Sequence, residues 1–132
     1  MLSREQSKIR VLIVDDHELT RLSLSLALRS QLDMELVGLA TNGQEAIDLV
    51  GQHHPDVVVL DLQMPVMDGL SASTHIKSTY PSTQILAYSS LDDPQTEVMI
   101  QTAKVDAFCK KDTSTLDLIR VVRQLSQRVK PS

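Results

Sequence analysis

Two short runs of the chain are apolar almost without interruption, Val11-Leu12-Ile13-Val14 and Val57-Val58-Val59-Leu60. A strand covered on one face alternates apolar with polar residues, whereas a strand covered by helices on both faces does not, so these runs predict central strands of a parallel sheet. Each is followed directly by an aspartate, Asp15 and Asp61. Weaker strands are predicted over 35–39, 84–88 and 106–109, which makes five.

Amphipathic stretches lie between the strands. Leu19, Leu22 and Leu26 stand at helical spacing and predict a first helix over about 19–30, with these leucines inward and the serines facing away. A second helix opens after Asn42, a good N-cap with Glu45 three positions on, packs through Ala46, Ile47 and Val50, and stops near Gly51. The third runs from about Gly69 to just before Pro81, which disfavours helix at Tyr80. Asp93-Pro94 predicts the start of a fourth, with Val98, Met99 and Thr102 inside. The fifth follows Thr113 or Ser114 and carries Leu118, Ile119, Val122 and Leu125 to about Arg128. Alternating strands and helices, joined by right-handed crossovers, predict an α/β fold: a flavodoxin-like (βα)5 doubly wound parallel five-stranded sheet of order 2-1-3-4-5. In that order strands one and three are neighbours, and Asp15, Asp16 and Asp61 meet at the crevice where ligands bind in such sheets.

Length and composition keep this picture simple. The 132 residues suit one domain, and 42% apolar with 23% charged residues is ordinary for a globular chain. The net charge of -4 offers no basic field for nucleic acid, so direct nucleic acid binding by this segment is not expected. The single Cys109 cannot form an internal disulfide, and no apolar run reaches membrane-span length or follows a basic start, so the expected setting is cytoplasmic and free of membrane. The polar ends, 1–8 and 127–132, read as an N-terminal tail and as a C-terminal tail or the start of a linker.

Three carboxylates at one crevice resist joint ionisation, and a cation would relieve them. Oxygen ligands with few protein carboxylates suit Mg2+, which often completes its shell with phosphate oxygens. A carboxylate can also be the nucleophile toward phosphorus, with a lysine neutralising charge on the transferred group, and Lys111 follows the fifth strand.

At these residues the chain resembles the receiver domains of two-component response regulators. The resemblance covers about 9–126 and rests on Asp15-Asp16-His17 after strand one, Asp61-Leu62-Gln63-Met64-Pro65 with Asp68-Gly69, Ser89 after strand four, and Phe108-Cys109-Lys110-Lys111. It implies that Asp61 is the phosphoacceptor, and that Asp16 and Asp61 bind Mg2+ through side chains, Gln63 through its backbone carbonyl and Asp15 through water. Lys111 and Ser89 would contact the phosphoryl oxygens, and Ser89 with Phe108 would switch the surface of helix four, strand five and helix five. The implied partners are a sensor histidine kinase or phosphotransfer protein, with a homodimer as a further option.

The wording around Asp15 and after Lys111 is closest to the NarL/FixJ-type subgroup, whose members usually add a C-terminal helix-turn-helix for transcription control. A stand-alone receiver and a receiver from a longer regulator both remain open. Two departures touch surface details only, Ala107 where the family often has glycine and Lys110 where an apolar residue is commoner.

Other residues have plainer readings. His53-His54 lack a ligand partner and read as a solvated loop, His17 as structural or at the rim, Met34, Met64, Met67 and Met99 as packing, and Cys109 as a small buried hydrophobe. Two rival functions stand beside the receiver. An aspartate-nucleophile phosphatase usually has a second aspartate two residues after the first, where this chain has His17; turnover of phosphoesters would reveal it. A phosphate-independent interaction module usually lacks an acidic or lysine position that this chain retains. The expectation is therefore a signalling domain, not an enzyme acting on external substrates.

Overall fold

Five parallel strands form one sheet of order β2-β1-β3-β4-β5. The computed structural model describes residues 8–62, 64, 69–89, 98, 101 and 104–128. In chain order these give β1 (Ile9–Val14), α1 (Glu18–Arg29), β2 (Met34–Ala40), α2 (Gly43–His53), β3 (Val57–Asp61), α3 (Gly69–Thr79), β4 (Gln84–Ser89), β5 (Ala107–Lys110) and α4 (Thr115–Ser126). The predicted fourth helix lies mostly outside the described residues, although Val98 and Gln101 are helical; the fifth predicted helix is α4 here. Among the described residues no helix is long and apolar enough to cross a membrane.

Alternation along the strands divides the core between the two faces of the sheet. Val11, Ile13, Val57, Val59, Leu86 and Tyr88 pack with Leu24 and Leu28 of α1 and with Leu118, Ile119, Val122 and Leu125 of α4. On the other face Leu12, Val14, Val58, Leu60 and Ile85 pack with Ala46 and Val50 of α2 and with Ala72 and Ile76 of α3. Both apolar runs are thus covered on both sides, the reason that neither alternates.

Several expectations need correction. In α1 the inward residues are Leu24, Ser25 and Leu28, whereas Leu19, Leu22 and Leu26 are exposed. The helix holds leucines on two opposite sides, so spacing alone could not choose between them. Buried Ser25 is tolerated because its hydroxyl donates to the Leu22 carbonyl at 2.9 Å. Helix α2 does not stop at Gly51 but runs to His53 and ends at His54 in the left-handed region, just before Pro55. Gly51 serves packing instead, since a Cβ there would meet the Tyr80 hydroxyl at 3.0 Å. The Asn42 cap holds as expected, its Oδ1 accepting from the Glu45 N–H at 2.9 Å, while Glu45 reaches back to Thr41.

Strand β5 starts one residue later than expected because Asp106 turns its carboxylate onto the Ile85 N–H and Lys77. Ser89 is the last residue of β4, not the first beyond it. His53 and His54 are not a loop pair but the end and the cap of α2, with the His54 ring edge-on to Tyr80. Cys109 is half-buried, and Met34 and Met64 are buried; Met67 and Met99 lie outside the described residues.

Candidate functional site

Strand register assembles the site. β1 pairs with β3 through Val14 and Leu60, so the residues that follow, Asp15 and Asp61, come side by side. Asp61 pairs with Tyr88 on β4, and Tyr88 pairs with Cys109 on β5, two residues before Lys111. Side chains alternate, so Asp15 falls in line with Val11 and Ile13, Asp61 with Val57 and Val59, and Tyr88 with Leu86, all toward the α1 and α4 face. Four polar side chains therefore converge at one edge of an apolar layer.

Asp15 and Asp61 are both essentially inaccessible, at 0% and 1% exposure. The Lys111 ammonium lies 3.2 Å from Asp15 Oδ2 and 3.3 Å from Asp61 Oδ2, bridging the two carboxylates. Asp15 Oδ1 accepts from the His17 backbone N–H at 2.7 Å and faces the His17 Nδ1 at 3.0 Å. The Tyr88 hydroxyl donates to Asp15 Oδ2. Asp16 stands at the rim, with its Oδ1 3.2 Å from the same His17 nitrogen. Burial pushes the Asp15 carboxyl up, but the hydrogen bonds from Tyr88 and His17 and the charge of Lys111 outweigh it and hold the group below the ordinary carboxylate value. The Tyr88 phenol is driven far upward by burial, by its bond to Asp15 and by the negative charges of Asp15, Asp61 and Asp16, so it remains a protonated donor.

The sequence expectation that Asp15, Asp16, Asp61 and Lys111 gather is met by these distances. Ser89 is buried on the next position of β4, and its carbonyl accepts from the Lys111 N–H at 3.0 Å. Phe108 pairs with Ala87 and Ser89 with Lys110, which makes Ser89 and Phe108 diagonal neighbours of like parity on adjacent strands. Gln63 lies outside the described residues. Sequence reasoning missed two members. His17 reads as a rim residue and is largely exposed, yet its ring nitrogen sits among the acids because it precedes α1 directly after Asp16. Tyr88 was legible in principle, since it shares the parity of the inward Leu86 and pairs with Asp61.

Ligand atoms of Asp15, Asp16, His17 and Asp61 all lie within 4.8 Å of one another. Three carboxylates against one lysine make a donor set suited to a hard divalent cation. Beside them, Tyr88 and Lys111 line a cleft of about 470 Å³ between α1 and α4, with Thr20, Leu24 and Leu118 among its walls.

Comparison with known proteins agrees with this fold. The family model described as the response regulator receiver domain matches residues 11–123. Response regulator protein VraR of Staphylococcus aureus is 38% identical over 119 residues, which is 90% of this chain but 57% of VraR; the chain thus spans little more than half the length of that relative. The signal receiver domain of NarL from Mycobacterium tuberculosis superposes with a TM-score of 0.84 at 31% identity, covering 92% of this chain and 98% of that one. The response regulator domain of Thermotoga maritima CheB gives 0.80 at 30% identity, covering 94% and 99%.

Gly69 ties α3 to β3, the strand that ends in Asp61. A Cβ there would lie 2.3 Å from the Asp61 carbonyl oxygen and 2.5 Å from the Leu62 Cα, backbone atoms that cannot step aside alone. Gly69→Ala is therefore expected to lower stability by roughly 1–3 kcal/mol, the usual cost of overpacking. Urea unfolding followed by circular dichroism checks this, and an unchanged midpoint would remove the close approach as a constraint.

Proposed function

From the premise that this chain belongs to the response regulator receiver family, we propose that it is a phosphorylation switch of a two-component system whose acceptor is Asp61. The observation that carries this reading is the buried Asp61 carboxylate at the end of a central strand, 3.3 Å from the Lys111 ammonium. A buried carboxylate beside a fixed cation is oriented to attack, and the same cation can follow the charge onto a bound phosphoryl group.

In the proposed step an Asp61 carboxylate oxygen forms a bond to phosphorus. The bond from phosphorus to the donor's leaving atom, a histidine nitrogen of a sensor kinase or phosphotransfer protein, breaks with its electron pair. The leaving nitrogen keeps that pair, and no redox change occurs. Asp16 and Asp61 would hold Mg2+ through side chains, Gln63 through its carbonyl and Asp15 through water. When bound, Mg2+ supplies positive charge against the phosphoryl oxygens. Lys111 pairs with those oxygens, and Ser89 donates its hydroxyl to one.

Phosphorylation then biases two arrangements of the Ser89 and Phe108 region, driven by the difference in phosphoryl contacts between them. The output is the surface formed by the predicted fourth helix, β5 and α4. As the resemblance to the NarL/FixJ-type subgroup implies, that surface would serve transcription control through an attached or partner output module, in a cytoplasmic setting and with homodimerisation as one route. The functional unit is proposed to span about 9–126.

The acceptor is tested by incubating the protein with Mg2+ and a small acyl phosphate and measuring intact mass. One phosphoryl group should be gained, and Asp61→Asn should gain none; an undiminished gain in that variant overturns the assignment. For the switch, amide exchange across 104–112 should change on addition of beryllofluoride and change less in Ser89→Ala. Exchange in the wild type that ignores beryllofluoride would dismiss this output route while leaving the acceptor intact.

A further inference from the structure

Resting on that reading, we infer that Tyr88 is a positioning residue of the site: its hydroxyl fixes the inner oxygen of Asp15, and its ring seats the Lys111 ammonium.

Asp15 is a fully buried carboxylate, so its lone pairs must be met by donors within the protein. Oδ1 is met by the His17 backbone N–H at 2.7 Å, with the His17 ring nitrogen 3.0 Å away. Oδ2 faces two donors, the Tyr88 hydroxyl and Lys111 Nζ at 3.2 Å. Lys111 is at the same time 3.3 Å from Asp61 Oδ2, so one ammonium is shared between two carboxylates. How it divides its attraction depends on how well each carboxylate is otherwise satisfied.

By donating to Asp15, Tyr88 relieves part of that demand and leaves Lys111 available to Asp61. Without the hydroxyl, Lys111 would be the remaining described donor on Oδ2 and would be drawn toward Asp15. The ring contributes separately, because Lys111 Nζ lies 4.9 Å from its centroid, within cation–π range. Tyr88 is also a core residue at 2% exposure, packed with the α1 and α4 cluster. A phenylalanine would fill that core equally well, so only the hydroxyl distinguishes a positioning role from a packing one.

Tyr88→Phe separates the two, since it retains the ring and removes the donor. With the full chain, Mg2+ affinity is measured by calorimetry and the phosphorylation rate by intact mass at saturating Mg2+ with a small acyl phosphate. Loss of a bond that orients a carboxylate of such a site should lower each by about tenfold. A packing role, which the retained ring would still serve, would leave both unchanged, and that result would overturn the inference.

An optical arm needs no variant at Tyr88. The chain has two tyrosines and no tryptophan, so in Tyr80→Phe the tyrosine band of the near-ultraviolet absorption belongs to Tyr88 alone. It should shift as Mg2+ is added, with the dissociation constant found by calorimetry, because the cation weakens the pull of Asp15 on the phenol. An absorption that ignores Mg2+ while calorimetry records binding would count equally against the inference. If the wild type binds Mg2+ but gains no phosphoryl mass, the acceptor reading fails, and the Mg2+ arms still decide the role of Tyr88.

Discussion

The site depends on burying two carboxylates side by side. Asp15 and Asp61 sit at the ends of neighbouring central strands, with almost no exposure to water. Two like charges about 5 Å apart repel by roughly 3–4 kcal/mol at an effective dielectric near 20. Asp16 at the rim adds a third negative charge, and among the described residues Lys111 is the cation that bridges the buried pair. The close contacts of His17, Tyr88 and Lys111 are what such an arrangement requires, since an unpaired buried charge is far more costly than a paired one. The surplus of negative charge also makes this a cluster that could hold a divalent cation.

The rest of the fold holds that arrangement in place. Parallel pairing fixes the register, and register fixes which residues emerge together at the carboxyl edge of the sheet. Alternation sends Asp15, Asp61 and Tyr88 to one face, over the layer packed by α1 and α4, while Ser89 and Phe108 take the opposite parity. The proposed acceptor and the proposed switch residues thus fall on two faces of the same strands, linked through the adjacent positions Tyr88 and Ser89. Gly69 lets α3 begin against the backbone of Asp61, so β3 and the helix after it are coupled through close contact.

Much of this was legible in the chain. The two apolar runs name the central strands because residues covered on both faces have no polar alternative, and the aspartates beyond them follow by position. The Asn42 cap, the Pro81 stop and the inner face of α4 were equally readable, each having a local cause. The inner face of α1 was not, because its leucines occupy opposite sides and only packing against Val11, Ile13 and α4 selects Leu24 and Leu28. The end of α2 was misread at Gly51 because a glycine used for close packing against Tyr80 looks the same as one used to stop a helix. His17 is readable only as a rim residue because its place among the acids depends on ring orientation, and strand parity points Tyr88 inward without naming Asp15, its partner distant in sequence.

Whether surplus carboxylate charge at Asp15, Asp16 and Asp61 governs the site is decided by thermal unfolding of wild type and Asp61→Asn with and without millimolar Mg2+. Preferential binding to the folded state should raise the wild-type melting temperature. Neutralising one buried charge should raise the melting temperature of Asp61→Asn in the absence of Mg2+ and shrink the further increase that Mg2+ produces. A wild type indifferent to Mg2+, together with an Asp61→Asn variant less stable than wild type, would mean that carboxylate repulsion does not govern the site.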